Sequence, residues 1–263
     1  MLSPEALSRY AKERGMPAGK IRGVAREYIQ TLVLKGIYSQ TGADGLLFLG
    51  GTALRFGHSL PRFSEDLDFD ATGTTFAEWK RVAESAASHL ALLGMEPELR
   101  LKEKNRLLSG EMRFGEVLQY YGTGAGRGEK LMIKLEANRP RWKLSEESRV
   151  VSGYGEMFPV RFASTGLMFA EKIGALRERR QGRDIYDVLF MAGKKWKPDL
   201  AVLKARGAGT DPAKAIMERI RSWNDKDLAV MARSLEPFLF EPAGAGMVKR
   251  AHELMPGVLE YLS

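Results

Sequence analysis

Cysteine is absent from the 263 residues, which excludes a disulfide framework and a thiolate zinc site and fits a reducing compartment. Histidine is nearly absent: His58, His89 and His252 are scattered along the chain, against both a histidine metal centre and a Ser-His-Asp hydrolase. No run approaches the roughly 20 apolar residues of a membrane-spanning helix. The amino terminus carries Glu5, Arg9, Lys12, Glu13 and Arg14 where a signal peptide would need an apolar stretch. Internal repeats and low-complexity segments are missing as well. These absences together lead to the expectation of a cytoplasmic protein with no membrane partner. Acidic residues are outnumbered, 33 against 41 lysines and arginines, for a net charge of +8. That balance favours a polyanionic partner, nucleic acid being the commonest, although a merely basic soluble protein has the same composition. The length suffices for an ample core in one large domain or two small ones.

What is present is concentrated in residues 48–70, FLGGTALRFGHSLPRFSEDLDFD. The apolar run 46–49 reads as a buried strand. Gly50-Gly51-Thr52 breaks it and leads into a short helix, where glycines let backbone approach a phosphate and helix-start N–H groups with the Thr52 hydroxyl form an anion cradle. Arg55 and Arg62 follow as positive charges available to a polyphosphate. On the next strand, alternation sends Leu67 and Phe69 to the core and Asp66, Asp68 and Asp70 to the opposite face. Carboxylates held so close repel unless a cation sits between them. Mg²⁺ binds through one or two carboxylates plus waters and substrate phosphates, so a nucleoside triphosphate (NTP) with its metal is the expected occupant.

A second strand, 131–138, repeats the pattern: Leu131, Ile133 and Leu135 alternate with Lys134, Glu136 and Asn138. If it neighbours the aspartate strand with polar faces aligned, Glu136 becomes a third carboxylate of the site; otherwise Lys134 and Glu136 are an ordinary solvated pair. Arg139-Pro140-Arg141 lines an acceptor route or is plain surface. The glycine-rich loop 122–128 does not fit a Walker spacing and reads as a hairpin tip, with Arg127 and Lys130 near enough to touch an RNA backbone.

Elsewhere the periodicity is helical. Ser3-Pro4 starts a helix that Gly15 and Pro17 end. A second carries Ile21, Val24, Tyr28 and Leu32 on one stripe, and a third carries Phe76, Trp79, Val82, Ala83, Ala86 and Leu90, with Trp79 in the core. After a core strand at 157–162, Ser164 or Thr165 caps a helix with Leu167, Ala170, Ile173 and Leu176 buried. Lys172 stands off that stripe. Gly182 is expected to end the helix and Arg183-Asp184 to open the next, with Asp184 and Asp187 sharing a face; one of the two acids is free to pair with Arg183 or Arg180. Helices near 212–222, 225–235 and 245–262 complete the chain.

GGTALR, RFSEDLDFD, KLE and AEKIGALRERRQGRDIYDV together resemble the AbiEii/AbiGii and MenT-like nucleotidyltransferase toxins, a branch of the DNA polymerase β-type nucleotidyltransferase superfamily. The match runs from about residue 45 to 190, and the lysine helix followed by Arg-Asp-x-x-Asp narrows it to the toxin branch. The resemblance implies an α/β (α+β) core of mixed sheet over 45–162, with helices at 1–44 and a helical region at 163–263. It also implies Mg²⁺-dependent transfer of a nucleoside monophosphate from an NTP to an acceptor, in some members the tRNA 3′ end, under control of a cognate antitoxin. On that pattern Asp66, Asp68 and Glu136 hold metal; Gly50, Gly51, Thr52, Arg55, Arg62, Ser64 and Lys172 lie on the nucleotide; and Glu136, Asp184 or Asp187 prepares the acceptor. Ser64 matches a position that related toxins use as a modification target. An aminoglycoside-type small-molecule nucleotidyltransferase and a catalytically idle module that binds RNA or an antitoxin are the competing readings.

Overall fold

A computed structural model describes residues 1–123, 126 and 128–262; Arg127, expected near RNA, lies outside them. The chain forms two compact units: Met1–Ser59, Phe63–Pro140 and Glu146–Phe162 make the first, and Leu60–Arg62, Arg141–Ser145 and Ala163–Ser263 the second.

In the first unit, α1 (Pro4–Glu13) begins at Ser3, whose hydroxyl accepts from the Ala6 N–H. Helix α2 (Ile21–Tyr38) buries Val24, Ala25, Tyr28, Ile29, Leu32, Val33, Leu34 and Ile37. Buried on every side over residues 27–34, it is a core helix rather than a surface one. The chain continues through β1 (Leu46–Leu49), α3 (Gly50–His58), β2 (Asp66–Ala71) and α4 (Phe76–Leu92). A Thr75/Glu78 capping box starts α4, and Trp79 is fully buried on its apolar face as expected. Helices α2 and α4 approach closely at Gly36, where a Cβ would lie 3.0 Å from the Ala86 Cα.

Next come β3 (Glu98–Lys104), β4 (Leu107–Phe114), the single turn α5 (Val117–Tyr120), β5 (Leu131–Asn138), β6 (Glu146–Gly153) and β7 (Glu156–Ala163). The strands form one mixed sheet in the order β3-β4-β5-β2-β1-β7-β6. All four residues of β1 are buried, as a strand covered on both faces requires. Phe48 lies 5.5 Å from Phe69 and 5.4 Å from Phe162, ring centre to ring centre, so β1, β2 and β7 share an aromatic core. Sequence reading found β7 but not its partner β6. The hairpin turns at Tyr154 and Gly155, both at positive φ, a geometry suited to tight hairpins.

The second unit is helical: α6 (Thr165–Glu178), α7 (Gly182–Gly193), α8 (Leu200–Ala205), α9 (Pro212–Arg221), α10 (Asp225–Leu235), α11 (Ala245–Lys249) and α12 (Ala251–Leu259). Side chains of Ser164, Asp199, Asp211 and Asn224 cap α6, α8, α9 and α10, satisfying N–H groups that a helix leaves open at its start. Gly182 does not end α6; it opens α7, because a Cβ there would sit 2.2 Å from the Met231 carbonyl oxygen of α10. Among the described residues, no helix is long and apolar enough to cross a membrane.

Candidate active site

Two charged clusters, one in each unit, contain the residues singled out by sequence. In the first unit, the chain passes from β1 into α3 through Gly50 at φ +81°, where L side chains are strained. A Cβ there would also meet the Asp68 carboxylate at 2.3 Å. Glycine is therefore required twice, for backbone conformation and for the approach of the acid. We expect Gly50→Ala to lose about 1–3 kcal/mol of stability from the strain and to displace the Asp68 carboxylate, so that any activity using that carboxylate falls further than the melting temperature accounts for. Retention of full activity in thermal-melt and rate measurements would refute this.

Thr52 is buried, and its hydroxyl donates to the Asp66 carbonyl at 2.5 Å. That proton ties α3 to the start of β2, which corrects the expectation that the hydroxyl seats phosphate. The backbone at Gly50 and Gly51 remains at the helix start, where N–H groups have no intrahelical acceptor.

Strand β2 runs antiparallel to β1 and parallel to β5. The register sets Asp66 opposite Lys134 and Asp68 opposite Glu136. All four are partly exposed, whereas Leu67 and Leu135 between them are buried. Sequence reading left this alignment open, and the register supplies it. Lys134 Nζ lies 2.6 Å from Glu136 Oε1. The hydrogen bond that Lys134 donates to Glu136, with the charges of Glu136, Asp66 and Asp68, raises the ammonium above its ordinary range against the opposing effect of burial. Asp70 is buried farther along the strand, opposite Asn138.

No group of three or more histidine, aspartate or glutamate side chains close enough to hold a metal ion occurs among the described residues. Of the expected set of Asp66, Asp68 and Glu136, the Glu136 carboxylate is bonded to Lys134. Asp66 and Asp68 still present the donor chemistry that suits Mg²⁺, a hard cation satisfied by one or two carboxylates and substrate phosphates.

Arg55 does not face a phosphate. It is 6% exposed, and Nε and Nη2 donate to the two Glu27 oxygens at 2.9 and 3.3 Å. Arg14 adds a third donor to Glu27 at 3.2 Å. Glu27 thus anchors α3 to α2, a role sequence reading missed; the available signal was a carboxylate between Val24 and Tyr28 on the apolar stripe. Ser64 is partly buried, and its carbonyl accepts from Gln30 Nε2 of α2 at 3.2 Å. Lys130 is ion-paired with Glu98, and Arg139 donates to the Thr74 carbonyl and to Glu103.

In the second unit, Arg62 is 1% exposed and grips Asp187 with two hydrogen bonds of 2.7 Å. Its guanidinium faces a carboxylate in the interior, so the expected phosphate contact is corrected to a buried ion pair. Lys172 of α6 reaches α7, with Nζ 2.9 Å from Asp187 Oδ2 and 3.4 Å from Asp184 Oδ1. Arg179 also donates to Asp184 Oδ1, at 3.0 Å. Burial alone would raise the Asp187 carboxyl; the Arg62 and Lys172 charges outweigh it and hold the group below the usual carboxylate range. Asp184 is fully buried with no hydrogen bond to Oδ2. Of the neighbours that sequence suggested for these acids, Arg183 donates to Gln181 and Arg180 pairs with Asp227.

Residues 32–246 match the family model described as "Nucleotidyl transferase AbiEii toxin, Type IV TA system". Among solved structures, a candidate nucleotidyltransferase from H. pylori is 19% identical with a TM-score of 0.59, covering 92% of this chain and 98% of its own. JHP933 from Helicobacter pylori is 18% identical with a TM-score of 0.51, over 92% and 97%. MenT4, a nucleotidyltransferase toxin from Mycobacterium tuberculosis, is 17% identical with a TM-score of 0.54, over 100% and 94%. At these identities the structural likeness shows the fold. No curated protein sequence matches significantly.

Proposed function

Because this chain belongs to the AbiEii nucleotidyltransferase toxin family of type IV toxin–antitoxin systems, we propose that it transfers a nucleoside monophosphate from an NTP to a tRNA 3′ end with Mg²⁺. The observation that carries the reading is the β2–β5 register, which aligns Asp68 with Glu136 while Gly50 admits the Asp68 carboxylate to the start of α3. The reaction is in-line attack of the acceptor hydroxyl on the α-phosphorus, with pyrophosphate leaving. Asp66 and Asp68 would hold the metal, which neutralises triphosphate charge and orients attacking and leaving oxygens. Gly50 and Gly51 offer N–H groups to phosphate oxygens.

The partly exposed Glu136 is the acid of the first unit in line to take a proton from the acceptor. Of the two acids in the second unit that the family pattern offers for this step, Asp187 is engaged by Arg62 and Lys172, while one oxygen of Asp184 carries no hydrogen bond. Lys172 supplies positive charge that the family pattern assigns to phosphate. The net charge of +8 supports a polyanionic acceptor.

The test supplies the purified chain with each α-labelled NTP and total tRNA. We expect labelled tRNA extended at its 3′ end, lost on metal chelation and restored by Mg²⁺. Label on aminoglycosides instead, or none on tRNA with any NTP, refutes the tRNA assignment.

A further inference from the structure

The face shared by β2 and β5 holds three carboxylates, Asp66, Asp68 and Glu136, and one ammonium, Lys134. Lys134 is placed among them: directly opposite Asp66 in the register and bonded to Glu136, itself opposite Asp68. Arg26, which also feels Asp66, is held by Glu65 at 2.9 Å. Glu111 of β4, opposite Lys134 on the other side, is engaged by Arg113 at 2.7 Å.

We propose that Lys134 is the built-in counter-ion of the site, occupying the carboxylate face until metal and triphosphate arrive together. This rests on the reading of Asp66 and Asp68 as the metal-holding pair. An ammonium bonded to Glu136 and set across from Asp66 repels a free divalent ion. When the metal enters with a triphosphate, the phosphate oxygens provide an alternative partner for the ammonium, which a compact point charge on a flexible stem can reach. The carboxylates then pass from Lys134 to the metal. Free metal binds weakly as a result, and loading is coupled to nucleotide; Lys134 is a positioning residue whose removal uncouples the two.

The readout is Mn²⁺ binding by the full chain, followed through the spin-resonance signal of free Mn²⁺, with and without a non-hydrolysable α,β-methylene triphosphate. We expect Lys134→Met to bind free Mn²⁺ on the order of 10-fold more tightly than the wild type, the direction set by removing a neighbouring like charge, and to bind the Mn²⁺–analogue complex less tightly. Lys134 is partly exposed, so folding should survive; Lys134→Gln, checked by circular dichroism, serves if the methionine variant does not fold. Free Mn²⁺ affinity unchanged or weakened in a folded Lys134 variant overturns the proposal. Asp68→Ala separates the two levels: if it leaves Mn²⁺ binding by the Lys134 variant intact, the metal is not held at this face and the site assignment itself falls.

Discussion

Asp68→Ala should lower nucleotidyl transfer by roughly 10³-fold or more, on the scale of deleting one preorganised transition-state contact, with little loss of stability. Asp68 is partly exposed on β2, and its neighbours on that face include Asp66 and Glu136. Removing it relieves repulsion among the acids as well as weakening attraction to Lys134, so the folded state loses little. The reaction loses much more: the charge that would bind metal beside the α3 start is gone, and Asp66 alone cannot recreate a two-carboxylate clamp. A factor of 10³ corresponds to about 4 kcal/mol of transition-state stabilisation. Initial rates of label transfer should show the drop while the melting temperature stays within a few degrees. A folded variant working within tenfold of the wild-type rate would remove Asp68 from the chemistry and favour a binding-only module.

How far this site could be read from the sequence depended on the range of the interactions that build it. Period-two alternation is local, so the faces of Asp66, Asp68, Lys134 and Glu136 were legible. Their alignment was not, because a parallel β2–β5 pairing is made across a long crossover. The two arginines failed for the same reason. Arg55 finds Glu27 at a distance of 28 residues and Arg62 finds Asp187 at 125; beside a glycine turn and an aspartate strand, either one looks like a phosphate ligand. Stripe and cap signals placed the long helices correctly, from α2 and α4 to α9 and α10. Short elements escaped: α8 has six residues, and β6, Glu-Glu-Ser-Arg-Val-Val-Ser-Gly, is a polar edge strand with a single buried side chain. At Gly182, a residue that ordinarily signals a helix end instead marks the close passage of α10.

The second large effect belongs to stability. Arg62→Ala should cost about 3–5 kcal/mol, the scale for breaking a buried ion pair from one side, because it leaves Asp187 fully buried with only Lys172 to offset its charge. The acid limb of stability should move as well. With its folded-state pKa depressed, Asp187 contributes stability that is complete above the unfolded carboxylate value and lost as pH falls through the lower folded value. Without Arg62, burial gains weight against the remaining cation, the folded pKa rises, and acid unfolding begins at a higher pH. Denaturant melts at neutral pH and an acid titration of ellipticity measure the two effects. Arg62→Met combined with Asp187→Leu distinguishes a buried charge left unpaired from a generic packing defect: removing both charges should recover much of the loss, although Lys172 then keeps Asp184 alone. If the single variant costs less than about 1 kcal/mol, the range of an exposed pair, the Arg62 guanidinium is not locked in the interior and its assignment to phosphate reopens. If the double variant is no better than the single, the pair's geometry rather than its charge holds α7 in place.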